Sequence, residues 1–576
     1  MYTNHKSAQY VVSMLKKQGV LQVVISPGNS HNPIVRSIEE DGSFKTYSIT
    51  DERSAAFFAI GLSQQQLKPI AILCTSGTAA SNYLSGVTEA FRRQIPLVVI
   101  TADKHPYYLY QMEDQMIHQP SIFEKVTKKS VTLPEIQDER DDWYCRRILN
   151  EAFLELNHHG TGPIHINVPI SYGMHAIGDT FTTEELPDIN IIKRFDTLSD
   201  PACLSGLFHS LEGKRVLILC GQNYQFSQKE TDLLDNVSKR YNCVLCVDVL
   251  SNLTLERSVK MTRIDSYIAS TVPDVVITID GNPVTSYKFR LKSIQVPFQH
   301  WHVTPTGLVA DPFRKLTVVF EGNAEQFLSH MVQYGHTGAS SEYFDYCKAL
   351  ETSFHIPDLA YSSPYACQQI LTQLPENSLL NLGNSTTIRL AEYFDFHPSI
   401  KVYCNRGVNG IDGCMSVFVG QSACTEKLSF LLIGDLTFFY DMNALWNRYV
   451  GKNVRIALFN NSGASLFHLG QGLKNYPRLN ENVAAEHFVS AQGWCESLGM
   501  KYLSAKDKTS FKTALQEFLS PAVDGPIIFE ILTHKEDDAL VWRSILNANL
   551  PKPPVTSRAA RKIKNLVKKI ICCFHV

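Results

Sequence analysis

A chain of 576 residues is too long for one hydrophobic core, and ordinary domain sizes predict about three or four domains. With 44% hydrophobic and 19% charged residues it reads as a globular protein, and a formal net charge of −2 gives no global pull toward nucleic acid or anionic lipid. No apolar stretch approaches the roughly 20 residues that span a bilayer, and the opening MYTNHKSAQY lacks the basic-then-apolar layout of a signal peptide, so the cytoplasm is the expected compartment.

Along the first third, short apolar runs alternate with helical patterns, as in a parallel sheet wrapped by helices. Residues 20–25 predict a strand ending in the turn Ser26-Pro27-Gly28. Residues 69–74 predict a second, followed by the small-residue loop Thr75-Ser76-Gly77-Thr78-Ala79 and a helix reaching about residue 93. Residues 96–100 give the next strand, and 164–168 are expected to close the sheet. The pattern breaks at 186–200 into a linker, LPDINIIKRFDTLSD.

A second α/β block follows, with strands expected at 216–220, 244–249 and 275–279. The one Cys-x-x-Cys, Cys243 to Cys246, lies in an apolar run there. Strand alternation points its two thiols to opposite faces, so a buried strand is the reading, against zinc or redox chemistry. The fourteen cysteines are scattered, which suits reduced thiols better than a disulfide framework. Residues 336–364 read as another connection, and a third block carries expected strands at 379–382, 430–433, 454–459 and 527–532. Gly162-Pro163-Ile164 and Gly525-Pro526-Ile527 open similar apolar runs in the first and third blocks, hinting at two related domains around a different middle one. The boundaries implied are 1–185, 200–335 and 362–550. From Pro551 onward there are seven Lys or Arg and no acid, which reads as a solvated basic tail with a short docking helix; a membrane-surface helix is the alternative.

The most informative stretch runs from Gly434-Asp435, directly after FLLI, to Asn460-Asn461-Ser462-Gly463, directly after VRIALF. Asp435 and Asn461 are 26 positions apart, room for a helix over 441–449 and a return strand. A right-handed crossover sets both motif ends at the carboxyl edge of the sheet, where open α/β folds bind ligands. The Asp435 carboxylate, the Asn461 amide oxygen and the Gly463 carbonyl offer three hard oxygens. Mg²⁺ takes six, so two phosphate oxygens and a water can complete the shell. The bland alternative is two ordinary turns.

This segment resembles the magnesium–diphosphate motif of thiamine-diphosphate enzymes. Longer matches, from about residue 20 to 532, resemble the 2-succinyl-5-enolpyruvyl-6-hydroxy-3-cyclohexene-1-carboxylate synthase family of menaquinone biosynthesis. They are Ser26-Pro27-Gly28, Asp51-Glu52-Arg53, the loop from Thr75 to Ala79, Thr101-Ala102-Asp103, Gly383-Asn384-Ser385, NRGVNGIDG from Asn405, and GDLTFFYDMNAL from Gly434. The resemblance implies an α/β fold of three doubly wound parallel-sheet domains that bind the pyrimidine, form a central core and bind the diphosphate. It further implies thiamine diphosphate and Mg²⁺ as cofactors, with active sites formed between two subunits of a homodimer or dimer of dimers.

On that resemblance Glu52 matches the catalytic carboxylate facing the aminopyrimidine; without the other motifs it would read as a surface acid beside Arg53. Ser76, Gly77, Thr78, Gly383, Asn384, Ser385, Gly434 and Asp435 match cofactor-binding positions, and Ile411 the apolar prop that keeps the cofactor bent. Asp435, Asn461 and Gly463 match the metal ligands. Arg389 and Arg406, with Ser385, match the groups that hold the distal carboxylate of 2-oxoglutarate, since planar guanidinium forks suit carboxylates.

The acceptor side departs from the family. Its SPGSR is Ser26-Pro27-Gly28-Asn29-Ser30 here, its arginine after TAD is Lys104, and a central Lys-Arg pair becomes Tyr287-Lys288. Gln115 is kept, but the arginine three positions on is His118. Asn29, Ser30, Lys104, Gln115 and Lys288 are thus the acceptor-binding candidates. The expected reaction is decarboxylation of 2-oxoglutarate with transfer of the four-carbon unit to isochorismate or to a different acceptor. Arg389 and Arg406 argue against an acetolactate-type synthase or decarboxylase acting on a smaller 2-oxo acid. Retention of Glu52, Asp435 and Asn461 argues against a non-catalytic scaffold, and no G-x-G-x-x-G follows a strand to suggest a dinucleotide enzyme.

Overall fold

The computed structural model describes residues 1–170, 180–189, 191, 201–222, 226–279, 281, 283, 284, 286–306, 310, 312, 313, 315–335, 340–470, 473 and 476–551. It contains three six-stranded sheets, all parallel. The first is built from β1 (Gln22–Ile25), β2 (Lys45–Ser48), β3 (Ile70–Cys74), β4 (Leu97–Asp103), β5 (Lys129–Thr132) and β6 (Ile164–Pro169), in the order β2-β1-β3-β4-β6-β5. The second holds β7 (Val216–Cys220), β8 (Cys243–Val247), β9 (Ser258–Lys260), β10 (Val275–Ile279), β11 (Gln299–Thr304) and β12 (Leu316–Glu321), in the order β12-β11-β10-β7-β8-β9. The third holds β13 (Leu379–Leu382), β14 (Lys401–Tyr403), β15 (Ser429–Gly434), β16 (Val454–Asn460), β17 (Lys501–Ala505) and β18 (Ile527–Leu532), in the order β14-β13-β15-β16-β18-β17.

The first and third sheets share one strand order and the middle sheet has another. The two Gly-Pro-Ile signatures open β6 and β18, which occupy the same position in their sheets. The α/β class read from the sequence, and the kinship of its two outer blocks, therefore hold.

Interior strands such as β3 are buried on both faces, which is why they read as continuous apolar runs. Edge strands such as β2 and β5 are half exposed and polar, and they correct the sequence reading at one point. The run 164–168 does not close the first sheet, because β6 lies between β4 and the edge strand β5, whose sequence KSVT is too polar to signal a strand. Cys243 and Cys246 lie on β8 as expected, in hydrophobic clusters on opposite faces, and burial pushes both thiols upward. Among the described residues the cysteines are free thiols.

Three further expectations need correction. The helix expected to reach residue 93 is split at Tyr83 into Thr78–Asn82 and Leu84–Arg92. The connection expected over 336–364 contains the helix Glu342–Thr352, whose Tyr343 and Cys347 pack into the cluster of Leu217, Leu219 and Val244. The helix expected over 441–449 instead begins at the motif itself, as Asp435–Tyr440, followed by a 3₁₀ turn at Met442–Leu445. The linker residues 192–200 and the basic tail from 552 lie outside the described residues. No helix among the described residues is long and apolar enough to cross a membrane.

The chain divides into two compact units. One gathers described residues of 1–198 with 405–426 and 441–451, the other those of 199–404, 427–440 and 452–576. In the first unit the helices Glu52–Gln66 and Cys414–Ser422 cross in backbone contact. A Cβ on Gly61 would strike the Val417 carbonyl, and one on Gly420 the Phe58 carbonyl, so glycine is required on both sides of the crossing.

Candidate active site

In the second unit, β15 and β16 are neighbours with Gly434 opposite Phe459, which brings the ends of both motif strands to one carboxyl edge. Asp435 is buried there. Its Oδ2 accepts the backbone N–H of Asn461 at 3.1 Å and of Gly463 at 2.9 Å, and its Oδ1 accepts that of Leu436 at 2.7 Å. The Asn461 side chain donates through Nδ2 to Asp538 Oδ2 at 2.7 Å. Asp538 is fixed by the backbone N–H and the hydroxyl of Ser363, both at 2.6 Å, and burial pushes its carboxyl upward.

This leaves Asn461 Oδ1 buried without a hydrogen-bond partner, on the residue whose backbone N–H meets the Asp435 carboxylate. A buried orphan acceptor costs about 1–3 kcal/mol, and a hard cation would satisfy it. Gly463 has φ +137°, and a Cβ there would lie 2.6 Å from the Ala484 carbonyl, so the chain requires glycine at this place. Among the described residues no group of three or more His, Cys, Asp or Glu side chains could hold a metal. A cation at Asp435 would therefore take one carboxylate, one amide and one carbonyl oxygen, and the remainder from ligand and water, which is the donor set Mg²⁺ uses with a diphosphate.

At the end of β13, Gly383 donates its N–H to the Leu432 carbonyl at 2.7 Å, and Asn384 is buried, accepting from the Cys404 thiol at 3.4 Å. Ser385 has φ +72°, a conformation costly for a residue with a side chain, and opens the helix Thr386–Ala391. Arg389 donates to the Ser385 carbonyl at 2.7 Å. Lys288 stands on the helix Tyr287–Ser293 of the middle sheet, its ammonium 5.1 Å from the Phe289 ring centre.

In the first unit, Glu52 opens the helix Glu52–Gln66, whose cap Asp51 accepts the Ser54 N–H at 2.8 Å. Glu52 Oε2 accepts from Asn82 Nδ2 at 3.3 Å, and its charge adds to the burial that pushes the Cys74 thiol and Tyr83 phenol upward. The loops after β1 and β3 interlock: Ser30 N–H donates to Thr75 Oγ1 at 3.1 Å, and the Ser30 and Ser76 hydroxyls pair at 3.0 Å. Gly77 has φ +84° and donates to Gln119 Oε1 at 2.7 Å, while a Cβ on it would meet the Gln115 carbonyl at 2.9 Å. Thr78, Asn29 and Gln115 are exposed. Lys104 donates to Glu113 Oε1 at 2.7 Å and to the Asp114 carbonyl at 2.6 Å.

The segment carrying Arg406 and Ile411 belongs to this unit too. Gly407 and Val408 donate their N–H groups to the two oxygens of Glu89, each at 3.1 Å; Arg406 is buried and Ile411 half-buried. The first unit thus gathers Glu52, the loops at Ser30 and Ser76, Lys104, Gln115, Arg406 and Ile411; the second gathers Asp435, Asn461, Gly463, Asn384, Ser385 and Arg389.

Sequence reasoning missed several supporting groups. Asp538 orients Asn461, and His487 Nε2 lies 3.3 Å from Asp435 Oδ2. A strap at 441–449 fastens the start of the Glu52 helix: Asn443 donates to Asp51 Oδ2 at 2.8 Å, Ser48 N–H donates to Tyr449 Oη at 3.0 Å, and Asp441 accepts the Ser416 N–H at 2.7 Å and hydroxyl at 2.8 Å. Burial pushes the Asp441 carboxyl up to about 7, with Ser416 and the Arg53 charge drawing it partly back. Only the GDLTFFYDMNAL match marked Asp441 and Asn443; nothing marked His487 or Asp538.

A repeated 2-1-3-4-6-5 strand order in two of three parallel sheets, with a hard-oxygen set at one strand edge, is the architecture of a thiamine-diphosphate enzyme. Residues 5–122 match the family model described as thiamine pyrophosphate enzyme, N-terminal TPP binding domain. The chain is 37% identical to the 2-succinyl-5-enolpyruvyl-6-hydroxy-3-cyclohexene-1-carboxylate synthase of Phocaeicola vulgatus, over 94% of this chain and 98% of that one. The enzyme of the same name from Bacteroides fragilis is 37% identical (94% and 99% covered), and that of Flavobacterium johnsoniae 30% (92% and 97%). The chain belongs to the 2-succinyl-5-enolpyruvyl-6-hydroxy-3-cyclohexene-1-carboxylate synthase family. It is a thiamine-diphosphate-dependent enzyme of the carboligating transferase type, working with a divalent metal ion.

Proposed function

We propose that the chain decarboxylates 2-oxoglutarate and transfers the four-carbon unit to an acceptor, either isochorismate, as in menaquinone biosynthesis, or a different one. The observation that carries this reading is the buried, unpartnered Asn461 Oδ1 on a loop whose Asn461 and Gly463 N–H groups both meet Asp435, the three together being a donor set suited to Mg²⁺ and a diphosphate. In this reading the pyrimidine-binding domain covers 1–185, the central domain 200–335 and the diphosphate-binding domain 362–550, with a basic tail at 551–576. The working form is a cytoplasmic homodimer or dimer of dimers.

Thiamine diphosphate, when bound, would supply the electron sink for the decarboxylation. The protein's share is orientation and proton control. Glu52 would hold or release a proton on the pyrimidine side of the site, and Ile411 would pack against the cofactor. Asp435, Asn461 and the Gly463 carbonyl would hold Mg²⁺, while Ser76, Gly77, Thr78, Gly383, Asn384, Ser385 and Gly434 would line the cofactor. Arg389 and Arg406, with Ser385, grip the distal carboxylate of the donor. Asn29, Ser30, Lys104, Gln115 and Lys288 meet the acceptor. The C1–C2 bond of the 2-oxo acid breaks with loss of CO₂, its electron pair forms the new bond to the acceptor's electrophilic carbon, and the displaced π pair takes one proton.

The test is CO₂ release by the holoenzyme from 2-oxoglutarate and from pyruvate. Preference for 2-oxoglutarate by about a hundredfold in kcat/KM is expected; equal or better use of pyruvate would favour the smaller-donor reading.

A further inference from the structure

We infer that Asp538 is the positioning residue that turns the oxygen of the Asn461 amide, and not its nitrogen, toward the metal, so that the cation affinity of the site is set by an acid outside its ligand set. This rests on the metal reading above. An amide has two ends of nearly equal size and opposite character: the oxygen coordinates a hard cation, and the NH₂, a donor, repels it. The site therefore works only if a neighbour fixes which end of Asn461 is left for the cation.

Strand pairing places that neighbour at the same edge. β16 and β18 lie side by side with Asn460 opposite Leu532, so Asn461 leaves one strand where the helix Lys535–Ala548 begins after the other, and Asp538 stands in the first turn of that helix. Asp538 is buried, and its four partners are all donors. Ser363 N–H meets Oδ1 at 2.6 Å, while Asn461 Nδ2, the Ser363 hydroxyl and the Thr533 hydroxyl meet Oδ2 at 2.7, 2.6 and 3.1 Å. A carboxylate only accepts, so the end of Asn461 that faces it is the NH₂, and Oδ1 is left buried and unpartnered. The opposite rotamer would set an amide oxygen against a carboxylate oxygen and put NH₂ where Oδ1 now is.

Two of the four donors are hydroxyls, which rotate and also accept. Ser363 N–H cannot turn: it is the first backbone donor of the helix Ser363–Leu371, aimed by the chain itself. This decides what an amide in place of Asp538 does. In Asp538→Asn one oxygen serves two obligate donors. It goes to the immovable Ser363 N–H, the new NH₂ falls opposite Asn461, and the Asn461 amide turns over to present its own NH₂ to the cation. Exchanging the two side chains, Asn461→Asp with Asp538→Asn, restores the pattern at unchanged total charge. The new amide then donates to the new carboxylate, which keeps one oxygen for the metal.

The test measures, by calorimetry at fixed thiamine diphosphate, the Mg²⁺ concentration that half-saturates cofactor binding, with urea unfolding of the cofactor-free proteins beside it. Asp538→Asn is expected to raise that concentration about 10–100-fold, as loss of a group that orients a metal ligand does, and the exchanged pair to return it to wild-type level within about threefold or below. An Asp538→Asn value within about threefold of wild type, or an exchanged pair no tighter than Asp538→Asn, overturns the inference, because a merely structural acid is not rescued by moving its charge onto position 461. If Asp538→Asn does not fold, the exchanged pair decides alone: folding with Mg²⁺-dependent binding supports the inference, and failure of either overturns it. Wild type is read first. Cofactor binding that needs no Mg²⁺ in wild type removes the metal reading and this inference with it, whereas a Mg²⁺-dependent wild type with an indifferent Asp538→Asn removes this inference alone.

Discussion

Asp435 and Gly463 are joined by a 2.9 Å hydrogen bond from the glycine N–H to the carboxylate Oδ2, so the carboxylate that would hold the metal also shapes the loop that would present a carbonyl to it. Together with the Asn461 N–H on the same oxygen, this makes the metal loop a single hydrogen-bonded unit. Replacing Asp435 with Asn removes the charge while keeping an acceptor for the loop. Thiamine-diphosphate affinity in Mg²⁺, measured by calorimetry, is expected to fall at least about a hundredfold, roughly 2.7 kcal/mol, with little change in unfolding midpoint of the cofactor-free protein. Unchanged affinity would remove Asp435 from the metal site.

Gly463 is constrained twice, by φ +137° and by the Ala484 carbonyl 2.6 Å from where a Cβ would sit. Gly463→Ala is expected to destabilise the protein by about 1–3 kcal/mol in urea unfolding and to weaken Mg²⁺-dependent cofactor binding in parallel. A variant as stable as wild type, with full binding, would show that the loop tolerates another conformation.

Asp441 gives a pH signature. Its carboxyl titrates near 7 in the folded chain against an ordinary 3.8, so between those values the folded state keeps a proton that the unfolded state has released. Its contribution to stability is full below about pH 4 and is lost as pH rises toward 7. Urea unfolding of wild type and Asp441→Asn at pH 5 and pH 8 checks this. The wild type should lose roughly 2–4 kcal/mol relative to the variant between the two. A constant difference would mean that Asp441 is ionised throughout.

Arg389 is expected to act on the donor alone. Arg389→Ala should raise KM for 2-oxoglutarate about ten- to a hundredfold in a CO₂-release assay while leaving cofactor affinity within about threefold, the loss of one charge-assisted grip. An unchanged KM would place the distal carboxylate elsewhere.

The fold was legible where strands are buried on both faces. β1, β3, β4, β6, β7, β8, β10, β13, β15, β16 and β18 all announce themselves as apolar runs, and all lie inside their sheets. Of the six edge strands, β2, β5 and β17 were missed because KTYS, KSVT and KYLSA place lysines and hydroxyls on a half-exposed border, where polar residues also guard against stray pairing; β9 and β14 are only three residues long, and β12, LTVVFE, is apolar and was missed although its composition is strand-like. The interior strand β11 was missed for another reason: His300 and His302 interrupt its apolar pattern, and both hydrogen-bond Thr278. At the site, Gly434-Asp435 and Asn461 could be read because both motifs directly follow buried strands. The capture of Lys104 by Glu113, the orientation of Asn461 by Asp538 and the strap at 441–449 are tertiary pairings without a local periodicity to reveal them.

The most direct test of the central claim is Glu52→Gln in holoenzyme saturated with thiamine diphosphate and Mg²⁺. The substitution keeps size and hydrogen bonding but removes the exchangeable acid. CO₂ release from 2-oxoglutarate should drop by about 10²–10⁴-fold with cofactor affinity nearly unchanged. Undiminished release would contradict the account and return Glu52 to the role of a helix-terminal surface acid.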